Sequence, residues 1–211
     1  MTDGTTAGDT VAALEARVQR LEAVEEIRQL VSRYALALDS RNVEALAALF
    51  AEDVDVHGGG KGRQALADWF NGPVLRQGYS TTFHLIGNHV IDFTDDDHAT
   101  GAVYCRPEHE VGDLWVIMPV VYEDRYERQG GHWYFRSRRP HAFYAADVKE
   151  SPLEIEGRFH FPNNPFMTRP TLPDRWPSWG RFWAAAGIDP TAPAEGGGAD
   201  GAGADGAGAD G

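Results

Sequence analysis

The sequence predicts an α+β fold in which helices cover one face of a curved antiparallel sheet, and three observations carry that prediction. Residues before Ser80 place apolar side chains at helical spacing. Residues 82–144 switch to extended runs rich in β-branched and aromatic residues, and short turn-forming clusters separate those runs. Helices first and a strand meander afterwards is the order of an α+β layout.

Thr10 offers an N-cap to a helical stretch that runs to about Ser40. Its apolar positions are Val11, Leu14, Val18, Leu21, Val24, Ile27, Val31, Tyr34 and Leu38, and the rhythm of threes and fours stumbles near Val24. The stumble divides an N-terminal arm, residues 1–23, from a core helix that opens the main domain, residues 24–150. The arm's stripe is free to pair with a second subunit. A second helix follows over residues 43–51, with Leu46, Leu49 and Phe50 on its apolar side. Val54 and Val56 alternate with Asp55 and His57 as a short strand, a glycine-rich turn runs to Gly62, and residues 64–70 read as a third helix. Four strands are expected over residues 82–93, 100–111, 114–128 and 132–144. Asp95 to Asp97, Gly112 with Asp113, and Gln129 with Gly130 and Gly131 supply their turns. Residues 151–191, rich in proline and carrying Trp176, Trp179 and Trp183, read as an irregular flap against the domain. From Ala192 the chain repeats Gly, Ala and Asp, has nothing to bury, and reads as a disordered acidic tail, residues 192–211.

Composition narrows the function. The 211 residues are 42% hydrophobic, enough for a substantial core, and the formal charge of −13 gives no overall attraction to nucleic acid or anionic lipid. Cys105 is the single cysteine, so neither an intrachain disulfide nor a Cys-rich zinc site forms. No apolar run reaches the ~18 residues of a membrane span. The first residues lack the basic and apolar segments of a signal peptide, and a cytoplasmic location is expected. No Ser or Thr follows Lys61, so the glycines around it make a turn rather than a phosphate loop. His84 and His89 sit five apart in a predicted strand and face opposite ways unless a bulge intervenes; no metal site is expected. No G-x-S-x-G nucleophile motif occurs.

Acid–base chemistry remains. Asp39 ends an apolar helix after Leu36 and Leu38; it is either a helix-end aspartate bonded to nearby backbone or a carboxylate with an imidazole to orient. His84, between Phe83 and Leu85, is either a satisfied core histidine or a base with one nitrogen held and the other free. The residues by themselves do not bring the two together.

A family resemblance does. Glu25-Glu26-Ile27-Arg28-Gln29-Leu30 with Tyr34 and Leu38-Asp39 resembles the opening helix of SnoaL-like enzymes in the nuclear transport factor 2-like superfamily. Leu49-Phe50 through Asp53, Thr82-Phe83-His84, and Tyr126-Glu127-Arg128 with His132-Trp133 follow in the same order. The likeness runs from Val24 to Tyr144 and is nearest to the branch holding scytalone dehydratase, hexachlorocyclohexane dehydrochlorinase and bile-acid 7α-dehydratase. It implies a conical barrel closed by a long helix and two shorter ones, and a cofactor-independent, metal-free lyase. The implied reaction is β-elimination from a hydrophobic cyclic small molecule by an Asp39–His84 dyad, with Tyr34 or His109 assisting the leaving group. His57, Phe50, Trp69, Phe83, Trp115 and Tyr144 are expected in the substrate pocket, together with Val103 and Ile117. A homo-oligomer, dimer or trimer, is expected, with neither nucleic acid nor membrane as partner. The same fold and base also serve isomerases and polyketide cyclases. Non-catalytic members, such as ring-hydroxylating dioxygenase small subunits, share the fold alone.

Overall fold

The computed structural model describes residues 7–78, 80–162 and 169–189. They form two compact units, one ending at Pro173 and the other beginning at Asp174. The proline- and tryptophan-rich stretch expected as one flap is thus divided. The expected tail from Ala192 lies outside the described residues. In the second unit, helix α5 (Pro177–Ala185) starts with proline in its first turn, where a missing N–H costs nothing.

In the first unit, α1 (Ala7–Asp39) is one unbroken helix, so Thr10 lies inside it and no break occurs at Val24. What changes near that residue is burial. Residues 7–22 are exposed, whereas Ile27, Leu30, Val31, Tyr34 and Leu38 enter the core. The helix α2 (Val43–Ala48) is capped by the Asn42 side chain, which accepts from the Ala45 N–H. The expected strand at residues 54–57 does not form. Asp55 makes only an isolated bridge to Lys61 as Gly58, Gly59 and Gly60 turn the chain at positive φ. Helix α3 (Gly62–Trp69) continues through a π-helical turn, Phe70–Val74, into α4 (Leu75–Gly78).

The sheet contains β1 (Thr82–Phe93), β2 (His98–Val111), β3 (Leu114–Ile117), β4 (Val120–Gln129), β5 (His132–Ala142) and β6 (Ala146–Asp147). Long β2 is its spine: β1 pairs along one edge, while β4 and β3 share the other. Beyond them, β5 pairs with β4 and β6 with β3. The single strand expected over residues 114–128 breaks at Met118 and Pro119, because proline offers the ladder no N–H. Both segments keep one register along β2, and the break separates their outer neighbours, β6 beside β3 and β5 beside β4. Two register shifts, between Ile86 and His89 and between Arg125 and Tyr126, add to the curvature. Inside the curve, Tyr34, Phe50, Tyr122, Tyr126 and Phe135 pack edge to face or tilted against one another. Glu26 Oε1 accepts the Trp133 N–H at 3.1 Å and ties α1 to β5. No described helix is long and apolar enough to cross a membrane.

Packing is close where β2 passes β4. A Cβ built on Gly101 would lie 2.8 Å from the ring edge and hydroxyl of Tyr126. That ring is buried and its hydroxyl donates to Asp124 at 2.8 Å, so it cannot swing away cheaply. Gly101→Ala is therefore expected to destabilise the protein by ~1–3 kcal/mol. A thermal melt checks this, and an unchanged Tm would show that the Tyr126 ring yields.

Candidate active site

A cavity of about 650 Å³ opens inside the curved sheet. Tyr34 and Leu38 of α1, Phe50, Val54, Val56, Leu66, Trp69 and Phe70 form much of its apolar wall. Thr82, His84, His109, Tyr122 and Arg138 bring polar atoms to it. Its size suits a small organic molecule.

Asp39 is the last residue of α1, and β1 begins opposite it. Its Oδ1 lies 2.7 Å from His84 Nδ1 and accepts the Thr82 hydroxyl at 2.8 Å. Its Oδ2 accepts the His84 backbone N–H at 2.8 Å. An ionised carboxylate only accepts, so His84 Nδ1 carries the proton and Nε2 is the nitrogen left with a lone pair. Partial burial of Asp39 opposes its ionisation. The hydrogen bond and charge of the His84 ring, the His84 N–H and the Thr82 hydroxyl together outweigh that burial and hold the carboxyl below the ordinary range. Arg41 completes the group from a left-handed backbone position, φ 59°. Its Nη1 donates to the Leu38 carbonyl at 2.9 Å and to Thr82 Oγ1 at 2.7 Å.

A second charged group lies on the cavity wall. Arg138 Nε and Nη2 donate to the two oxygens of Asp124 at 2.9 and 2.7 Å, and the pair is almost wholly buried, with side chains 3% and 0% exposed. Asp124 also accepts the Tyr126 hydroxyl, and Tyr126 in turn meets His89 Nε2 at 3.1 Å. The guanidinium carbon sits 4.3–4.4 Å from the ring centres of Tyr34, Tyr122 and Phe135. Burial pushes the Tyr34 phenol up to about 12, only partly countered by Arg138, so Tyr34 keeps its proton near neutral pH. Burial, reinforced by the charge of His84, pushes His109 down to about 3, so His109 is neutral across the physiological range.

The structure brings Tyr34, His84 and His109 onto one cavity, with the rings of His84 and His109 centred 5.9 Å apart. Phe50 and Trp69 line the wall and His57 stands at the exposed rim. Three expected substrate contacts lie elsewhere. Phe83 follows strand alternation to the outer face because His84 beside it points inward. Trp115 donates its indole N–H to Glu108 at 2.6 Å on that same outer side. Tyr144 falls beyond the end of β5, outside the lining. Val103 and Ile117 are core residues rather than lining. The bulge after Ile86 turns His89 to the same face as His84. The sequence does not single out Arg41, and it leaves the role of Arg138 open. Arg138 had a signal, since Asp124 alternates with the inward Tyr122 and Tyr126 on a neighbouring strand.

A family model described as the SnoaL-like domain matches residues 19–139, more than half of the chain. No curated protein matches the sequence. Among solved structures, LinA is 25% identical, covering 64% of this chain and 95% of its own, with a TM-score of 0.58. The hexachlorocyclohexane dehydrochlorinase LinA-type3 from Novosphingobium barchaimii is 22% identical, covering 64% and 96%, at 0.58. A proposed scytalone dehydratase from Novosphingobium aromaticivorans is 24% identical, covering 64% and 93%, at 0.55.

Two stability effects are expected. Folded Asp39 is held below an unfolded aspartate (~3.9), so its contribution is complete above that value and is lost as pH falls through the lower folded one. The gap in urea midpoint between wild type and Asp39→Asn should therefore close as the pH is lowered below ~4; a gap independent of pH would refute the ionic account. Asp124→Asn leaves Arg138 charged and buried, and should cost ~3–5 kcal/mol in chemical denaturation. A loss under ~1 kcal/mol would mean that water reaches the guanidinium.

Proposed function

The chain belongs to the SnoaL-like domain family of the nuclear transport factor 2-like superfamily, and from that premise we propose that it is a lyase of the dehydratase or dehydrohalogenase type acting on a hydrophobic cyclic small molecule. One observation carries the proposal: the ionised Asp39 holds His84 at both the ring and the backbone, and His84 lines the cavity. An imidazole gripped on Nδ1 presents Nε2 as a base. In the proposed reaction Nε2 takes a proton from an acidic ring carbon. The C–H electron pair becomes the new C=C bond, and the bond from the adjacent carbon to hydroxyl or halide breaks, its electrons leaving with that group.

The charge that develops on the leaving group needs a positive or proton-donating partner. Arg138 supplies a fixed positive charge in surroundings of low polarity, where such charges act most strongly. Tyr34, whose phenol keeps its proton, donates it or a hydrogen bond to a departing hydroxide. His109 serves only as a neutral group, because burial keeps it unprotonated until about pH 3. The role of acid that its position invites therefore passes to Tyr34. Base and acid are both side chains of this chain, so the proposed step needs no metal or organic cofactor.

The reading is tested by incubating the protein with hydroxylated and halogenated ring compounds and recording mass change. Loss of water or hydrogen halide supports it, and turnover with unchanged mass points instead to an isomerase or cyclase using the same base. His84→Gln and Asp39→Asn should each cost roughly 10²–10⁴ in kcat, and the double variant little more than the worse single one. Losses that multiply, in folded proteins, would show that the two residues act separately.

A further inference from the structure

We infer that residues 7–22 of α1 form a parallel, two-stranded coiled coil with the same segment of a second copy of this chain. This goes beyond the proposed reaction and does not depend on it. Val11, Leu14, Val18 and Leu21 are 51–69% exposed, although they form a regular apolar stripe. At ~100° per residue that stripe is centred roughly 170° around the helix from Ile27, Leu30, Val31 and Tyr34, which enter the core. Because α1 is unbroken, the stripe faces away from the protein's own body and no bend can return it there. Arg20 marks the opposite, inward side, its guanidinium 3.3 Å from the Phe93 ring centre. The arm is thus a helix extended from a folded element, with its nucleation already complete.

The pattern specifies the occupant. Spacings of three, four and three place valine at both a positions of a heptad and leucine at both d positions, the combination that favours two parallel strands. The next core positions would be Glu25 and Arg28, so pairing ends where the helix meets its body. Charge sets the direction. Arg17 flanks the stripe on one side, and Glu15 and Glu22 flank it on the other. In a parallel pair Arg17 meets the partner's Glu22, and the reverse pair forms by symmetry. In an antiparallel pair Glu15 meets the partner's Glu22 and the two Arg17 side chains meet each other, so like charges oppose. Two heptads alone bind weakly, but two preformed arms lose little further entropy on pairing.

The test uses the full-length chain with single cysteines in the arm, because the native Cys105 is buried. Under mild oxidation at micromolar concentration, Leu14→Cys should give a covalent dimer, since d-position side chains face each other across a parallel seam. Ala16→Cys, on the helix's other side, should not. Arg17→Glu, added to Leu14→Cys, should lower cross-linking severalfold, and Glu22→Arg in the same chain should restore it. Glu22→Arg alone should also weaken cross-linking. Equal cross-linking from Leu14→Cys and Ala16→Cys, or none from either, overturns the inference. So does stronger association with Glu22→Arg alone, which is the antiparallel result. A wild-type mass of one chain by light scattering at the same concentration overturns it too, and would leave the stripe to a different partner.

Discussion

The carboxylate of Asp39 is the constraint on which the site and part of the fold both depend. It stands at the C-terminal end of α1, where exposed carbonyls make a negative charge unwelcome. Three donors from the first residues of β1 offset that cost: the Thr82 hydroxyl, the His84 amide and the His84 ring. Arg41 supplies the cation that a helix end prefers and shares Thr82 with Asp39. Joining the helix to the sheet edge and fixing the imidazole tautomer are therefore one act. The imidazole proposed as the base is preorganised because the contact orienting it also joins helix to sheet, so no separate device is needed to hold it.

Much of this architecture was legible in the chain. The period change near Ser80 marks the passage from helices to sheet, and β1 begins and ends where its run of β-branched and aromatic residues does. What was missed came from tertiary events that periodicity does not report. A π-helical turn prolongs α3, and Pro119 hands one extended run to two different neighbours. The alternating Val54 and Val56 are buried by α3 and the core without any partner strand. Of the candidate site, Tyr34, Asp39 and His84 were found because the family resemblance placed them together; their spacing alone did not. Phe83 faces outward, as strand alternation beside the inward-facing His84 requires. His89 was legible only on condition of a bulge, and Gly87 two residues before it was the hint: a Cβ built there would lie 3.3 Å from the Tyr104 carbonyl oxygen.

Arg138 raises a different question, because stability does not explain it. Burying an arginine and an aspartate together costs several kcal/mol in lost hydration, and well-packed apolar residues of similar volume often do as well or better. Here three aromatic rings already surround the position, an apolar environment into which an aliphatic side chain would fit. Two of the guanidinium's nitrogens are spent on Asp124, and Nη1 has no hydrogen-bond partner among the described residues. A pair built for stability would leave no buried donor unsatisfied. What the arrangement does provide is a positive charge that cannot move, held from behind by Asp124 and Tyr126 and set beside the cavity. Such a charge stabilises negative charge that appears during a reaction more than charge already present and solvated beforehand, because the protein need not reorganise to meet it. A neutral substrate that expels an anion would draw most on that difference, and the proposed elimination at His84 is chemistry of that class.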